Sequence, residues 1–130
     1  MTDVNTINFS GTDSYLQAAM SGLAARQRAI ANNVANVDTP GFRASEVRFE
    51  DVLNSAASKA KAGEPVSQSA LDAAARATTL VGGTTSRADG NNVDVDQQME
   101  MLSEANLNYS ALTQAMSTRL GILRGVIKGQ

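Results

Sequence analysis

Residues 95–128 read VDQQMEMLSEANLNYSALTQAMSTRLGILRGVIK, and the spacing of their apolar side chains decides the architecture. Val95, Met99, Leu102, Asn106, Tyr109, Leu112, Met116, Leu120, Leu123 and Ile127 recur three or four apart. That spacing draws one stripe along a helix, with Asn106 as its polar member. Asp94 followed by Gln97 resembles a capping box, with Asp in place of the usual Ser or Thr. Asp96, Glu100 and Glu104 come early, whereas Arg119, Arg124 and Lys128 come late, an order that complements the helix dipole. Gly121 and Gly125 weaken the far end by about 1 kcal/mol each relative to alanine. A helix over 95–128 is roughly 50 Å long.

A second stripe lies upstream: Leu16, Met20, Leu23, Gln27, Ile30, Val34 and Val37, alternating four and three with one polar interruption at Gln27. Thr12 or Asp13 is the expected N-cap. Ala18, Ala19, Ala24, Ala25, Ala29 and Ala31 flank the stripe and would admit another helix closely. The helix should end near Asn36, because Pro40 cannot continue it and drives Thr39 toward an extended conformation. Pro40-Gly41 suits a type II turn.

After a short extended piece, Phe49, Val52, Leu53, Ala56, Ala57 and Ala60 repeat with helical spacing, and Gly63 and Pro65 mark the stop. Residues 64–92 are rich in Ser, Thr, Ala and Gly, with a weak helix expected over Ala70–Ala77 and breaks at Gly82-Gly83 and Asp89-Gly90. The resulting fold class is all-α dominated. Two long terminal amphipathic helices pack as an antiparallel or coiled-coil-like pair, with a short middle helix and an irregular, mobile central segment. Four segments follow: a flexible stretch over 1–12, the first helix with its exit and turn over 13–53, a variable middle over 54–92, and the last helix over 93–130.

Composition narrows the function. The 130 residues include only 4% aromatics and no Trp, so a thick globular core is out of reach and much helix surface can be buried only against neighbours. The formal charge of −2 without a basic stripe argues against nucleic acid as a partner. The absence of Cys and His removes thiolate, disulfide and His-based chemistry and the usual zinc sites. The opening MTDVNTINFS lacks the pattern of a cleavable secretory signal, and no apolar run is long enough for membrane insertion. Composition alone reads as a cytosolic helical protein.

Two polar clusters invite a chemical reading. Glu46, Glu50 and Asp51 gather carboxylates, but Arg43 and Arg48 among them make a neutralised surface the better account. Asp89 to Asp96 superficially resembles a calcium loop, yet it lacks the ordered alternation and the terminal Glu, so a turn into a capped helix wins. No catalytic, metal or cofactor residues are assigned. Met20, Met99, Met101 and Met116 read as adaptable packing residues. Asn32, Asn33 and Asn36 are poor helix formers. They read equally as capping and turn residues or as groups that satisfy backbone across a subunit contact.

The run Ala31-Asn32-Asn33-Val34-Ala35-Asn36-Val37-Asp38-Thr39-Pro40-Gly41-Phe42-Arg43 resembles the N-terminal signature of the flagellar rod, hook and hook-associated protein family. The short length and Asp89 to Asp96 at the entry to the last helix resemble its proximal rod members. The resemblance spans about residues 13–53 and 88–128. It implies a structural subunit, not an enzyme, exported by the flagellar type III apparatus without a cleaved signal. Such a subunit polymerises helically into the rod on the periplasmic side of the inner membrane and transmits torque.

The implied partners are other copies, neighbouring rod subunits, basal-body adaptor or MS-ring components and the export apparatus. The implied assembly interface comprises Leu16, Met20, Leu23, Ile30, Val34, Val95, Met99, Leu102, Tyr109, Leu112, Met116, Leu120, Leu123 and Ile127. The motif residues are Asn32, Asn33, Asn36, Thr39, Pro40, Gly41, Phe42 and Arg43. A sibling proximal rod protein or another axial component is the alternative within the class, and a cytosolic helical adaptor the alternative outside it.

Overall fold

A computed structural model describes residues 9–82 and 87–129. The elements run α1 (Phe9–Ala35), β1 (Ser45–Val47), α2 (Phe49–Lys61), α3 (Gln68–Ala75), β2 (Thr78–Leu80) and α4 (Val95–Lys128). The two long helices lie against each other, as their stripes require. Three polar ties fix the direction: Asp13 pairs with Arg119, the Gln27 amide donates to Asn106 Oδ1 at 2.7 Å, and the Asn33 amide donates to Gln98 Oε1 at 2.8 Å. Partners descend along α4 as they ascend along α1, so the pair is antiparallel.

The helix α1 begins at Phe9 rather than at a cap on Thr12 or Asp13. Both residues lie inside it, and the Asp13 carboxylate reaches across to α4 instead of back to its own backbone. Of the stretch 1–12 expected to be flexible, residues 9–12 are helical and residues 1–8 lie outside those described.

The two polar interruptions noted in the stripes, Gln27 and Asn106, bond to each other. Matched polar residues at a helix seam fix register, because sliding one helix by a turn would set an amide against an apolar neighbour. The pair is solvent-exposed, so its net worth is about 1 kcal/mol. A double-mutant cycle with Gln27→Ala and Asn106→Ala should give a coupling energy of about 0.5–1 kcal/mol by denaturant titration. Strict additivity would mean that the amides do not stabilise the seam.

The core is made largely of alanine. Ala18, Ala19, Leu23, Ala25 and Ala29 of α1 pack with Val47, Phe49, Ala56, Leu71, Ala75 and Ala105. Small side chains let backbones approach, and Gly22 goes further. A Cβ there would stand 2.5 Å from both Cβ and Cγ of Phe49, so α1 meets the start of α2 through a bare glycine. Arg26, one turn on, lies over the Phe49 ring at 4.5 Å from its centroid. It also donates to the Val47 carbonyl at 2.8 Å and pairs with Glu50.

The middle of the chain is more ordered than its composition suggests. α2 ends in a Schellman motif around Gly63, at φ 78°, with Glu64 N–H donating to Lys59 O and Gly63 N–H to Ala60 O. Ser67 caps α3, accepting from Ala70 N–H. The short extended piece is β1, and it acquires an unforeseen partner in β2. The two strands are antiparallel, with Ser45 opposite Leu80 and Val47 opposite Thr78.

Candidate assembly interface

The helix exit is held by side-chain amides from a distant loop. Asn91, fully buried, donates its side-chain amide to the carbonyls of Asn36, Val37 and Thr39 at 2.9–3.0 Å and accepts from Val93 N–H at 2.8 Å. These are the carbonyls that the end of α1 and its turn leave without helical partners. Gly41 N–H donates to Asp89 O at 2.7 Å, and Arg87 donates to Val37 O at 2.7 Å. The close approach needs two glycines. Gly41 and Gly90 both take positive φ, and a Cβ on Gly90 would meet the Gly41 Cα at 3.6 Å.

Asn92 continues the clamp by accepting from Ala44 N–H at 2.6 Å. Asn33, 1% exposed, accepts from Ser45 N–H at 2.9 Å and donates to Ser45 O at 2.8 Å. Its side chain therefore acts as one more strand beside β1. Pro40 and Gly41 occupy the centre of a turn closed by Phe42 N–H on Thr39 O, and Gly41 at φ 72° fits the expected type II geometry.

Of the two readings of the asparagines, the hydrogen bonds of Asn33 and Asn36 are made within the chain. Asn36 donates to both oxygens of Asn32, and its own Oδ1 accepts from the Thr39 hydroxyl. Arg43 donates to Val81 O at 3.2 Å. Sequence reasoning missed Asn91, Asn92 and Gln98 as partners of this exit. The signal available was a second polar cluster, Asp89 to Asp94, with no chemistry of its own.

The apolar stripes divide into two groups. Leu23 and Ile30, expected at an assembly surface, are corrected to core: at 1% and 2% exposure, the chain's own elements cover them. Leu16, Met20, Val34, Leu102, Tyr109, Leu112, Met116 and Leu123 are half-buried, while Val95, Met99, Leu120 and Ile127 are exposed. Met20, Tyr109, Met116 and Leu120 line an open groove of about 420 Å³ between α1 and α4. Two further apolar residues off the stripe, Ile122 and Val126, are exposed near the end of α4.

The carboxylates are used structurally. Glu46 and Asp51 pair with Arg48, and Glu50 with Arg26. In the loop once weighed as a calcium site, Asp89 accepts from Asn91 N–H and pairs with Arg87, and Asp94 caps α4 through Gln97 N–H. Among the described residues no group of three or more Asp, Glu, His or Cys gathers to hold a metal, and no helix is long and apolar enough to cross a membrane.

The sequence profile of the Flagella basal body rod protein family matches residues 16–43, from the first stripe through the clamped turn. The similarity extends well past that stretch. The FlgB rod protein of Bacillus subtilis (strain 168) is 35% identical over 124 residues, which cover 93% of this chain and 96% of that protein. The chain belongs to the FlgB family of flagellar basal body rod proteins. FlgB of Borrelia hermsii is 31% identical, covering 82% of this chain and 87% of its own length. FlgB of Aeromonas hydrophila is 28% identical, covering 95% and 98%. In this FlgB-family chain the profile stops just before the strand that Asn33 holds. The residues that complete the clamp, 87–98, fall in the part matched only by the longer alignments.

Proposed function

We propose that the chain is a proximal rod subunit that packs helically with its own copies and with neighbouring rod, adaptor or MS-ring components. On this reading it passes through the flagellar type III export apparatus and transmits torque on the periplasmic side of the inner membrane. The observation that carries the reading is the uneven covering of the α1–α4 pair. The clamp end is closed by the chain itself, whereas the opposite end of α4 leaves Leu120, Ile122, Val126 and Ile127 in water. Apolar surface of that kind is stabilised by packing side by side with other subunits. Torque transmission asks for stiffness, which many laterally packed helices supply. The assembly surface on this reading is the exposed and half-buried part of the two stripes, without Leu23 and Ile30.

Deleting residues 121–130 tests it in a host that lacks its own FlgB relative. Export of the truncated chain without rod, hook or filament is the expected outcome. Normal motility would remove this end of α4 from assembly and overturn the reading.

A further inference from the structure

The end of α4 projects past its partner helix. Asp13 sits opposite Arg119, yet α4 continues to Lys128, whereas α1 begins at Phe9, only about one turn before Asp13. The overhang is apolar on more than one side, with Ile122 60%, Val126 74% and Ile127 84% exposed. It carries Arg124 and Lys128, and neither forms an ion pair among the described residues.

The beginning of the same helix has the opposite character. Asp96, Glu100, Glu104 and Leu107 fall on one face at helical spacing, all exposed, with Leu107 at 71% and the exposed Met99 beside them. These three carboxylates likewise form no ion pair among the described residues. One helix therefore offers a basic apolar tip and an acidic face bearing apolar residues.

We infer that the α4 overhang of one copy docks on the acidic face of α4, between Asp96 and Leu107, in a second copy of this chain. The occupant is set by charge. A tip with Arg124 and Lys128 is repelled by another tip and attracted by the Asp96–Glu104 face, while Ile122 and Val126 cover Met99 and Leu107. Because the two surfaces differ, the contact is heterologous. It leaves a free tip and a free face after every addition and generates an open assembly rather than a closed dimer. The inference deepens the rod reading by naming a contact between copies, and it rests on that reading only for the identity of the polymer.

The chain has no cysteine of its own, which makes crosslinking clean. In the full chain, Leu107→Cys and Val126→Cys together place two thiols about 28 Å apart along one helix, far beyond the roughly 7 Å that a disulfide spans. Any bond formed on oxidation is therefore between molecules. The expected result is a ladder of dimers, trimers and larger species from the double variant, with neither single variant giving more than traces of dimer. Adding Arg124→Glu and Lys128→Glu should abolish the ladder, and mixing with a chain carrying Asp96→Lys and Glu100→Lys should restore it.

Monomer alone after oxidation overturns the contact. So do strong dimers from Val126→Cys by itself, which would mean tip on tip, or a ladder indifferent to charge reversal. Circular dichroism of each variant checks that the surface changes leave the helices intact. The rod reading is judged separately, by whether the unaltered chain restores a rod in the deletion host. A restored rod without the ladder removes the contact alone, and a ladder without a rod removes the rod reading alone.

Discussion

Asn91→Asp will lower stability by about 3 kcal/mol and the melting temperature by about 10 °C, although it replaces one atom and leaves the shape unchanged. The side chain is fully buried, and its amide faces three carbonyl oxygens, those of Asn36, Val37 and Thr39. A carboxylate in that place has no hydrogen to give and adds a charge among acceptors, the costliest arrangement for a buried group. Asn91→Ala should cost less, about 2 kcal/mol, since it leaves the carbonyls unpaired without opposing them.

The order of the two variants is the diagnostic part. Protonating the introduced carboxyl returns one donor, so the deficit of Asn91→Asp should shrink as the pH is lowered, while that of Asn91→Ala should not. Thermal melts of the three proteins at two pH values decide it. An aspartate variant as stable as the parent at neutral pH would show that the clamp does not hold the exit.

The second large effect is at Gly22, where helix propensity and packing point in opposite directions. Alanine in mid-helix is favoured over glycine by about 1 kcal/mol, so Gly22→Ala would stabilise an isolated α1. In the fold its new Cβ would lie 2.5 Å from Phe49 Cβ and Cγ. The Cβ of Phe49 is tied to the backbone of α2, and Arg26 lies over the ring, so no rotamer change relieves the contact. Overpacking of this kind costs about 1–3 kcal/mol, occasionally more. The net expectation is a loss of roughly 2 kcal/mol in denaturant unfolding. Shortening the partner should not help: Gly22→Ala with Phe49→Ala keeps the Cβ that causes the collision. A rise in stability for Gly22→Ala would mean that α1 and α2 are not packed as described.

Legibility from sequence followed distance along the chain. Both long helices could be read because their stripes repeat locally, and the Pro40-Gly41 turn and the Gly63 stop could be read because single residues dictate backbone angles there. Gln27 and Asn106 were each visible as a flaw in a stripe. Their pairing was not, since it depends on the register of two helices whose partners lie 79 positions apart. β2 escaped because Thr78, Thr79 and Leu80 are all exposed and carry no alternation to read. Gly22 escaped because one glycine in a helical run looks like a mild defect until Phe49 is placed against it. The burial of Leu23 and Ile30 separates from the exposure of Ile127 only once α2 and α3 are docked, as periodicity alone gives all three the same face.

The clamp also sets a timetable. A nascent chain emerges from its amino end, so α1 and its turn are made long before Asp89, Asn91 and Gln98 exist to receive them. Until about three quarters of the protein has been synthesised, the carbonyls of Asn36, Val37 and Thr39 and the amide of Asn33 can bond only to water. Closure of so wide a loop is slow compared with local helix formation. The first third is therefore held open by default and latches only when the last helix begins to appear.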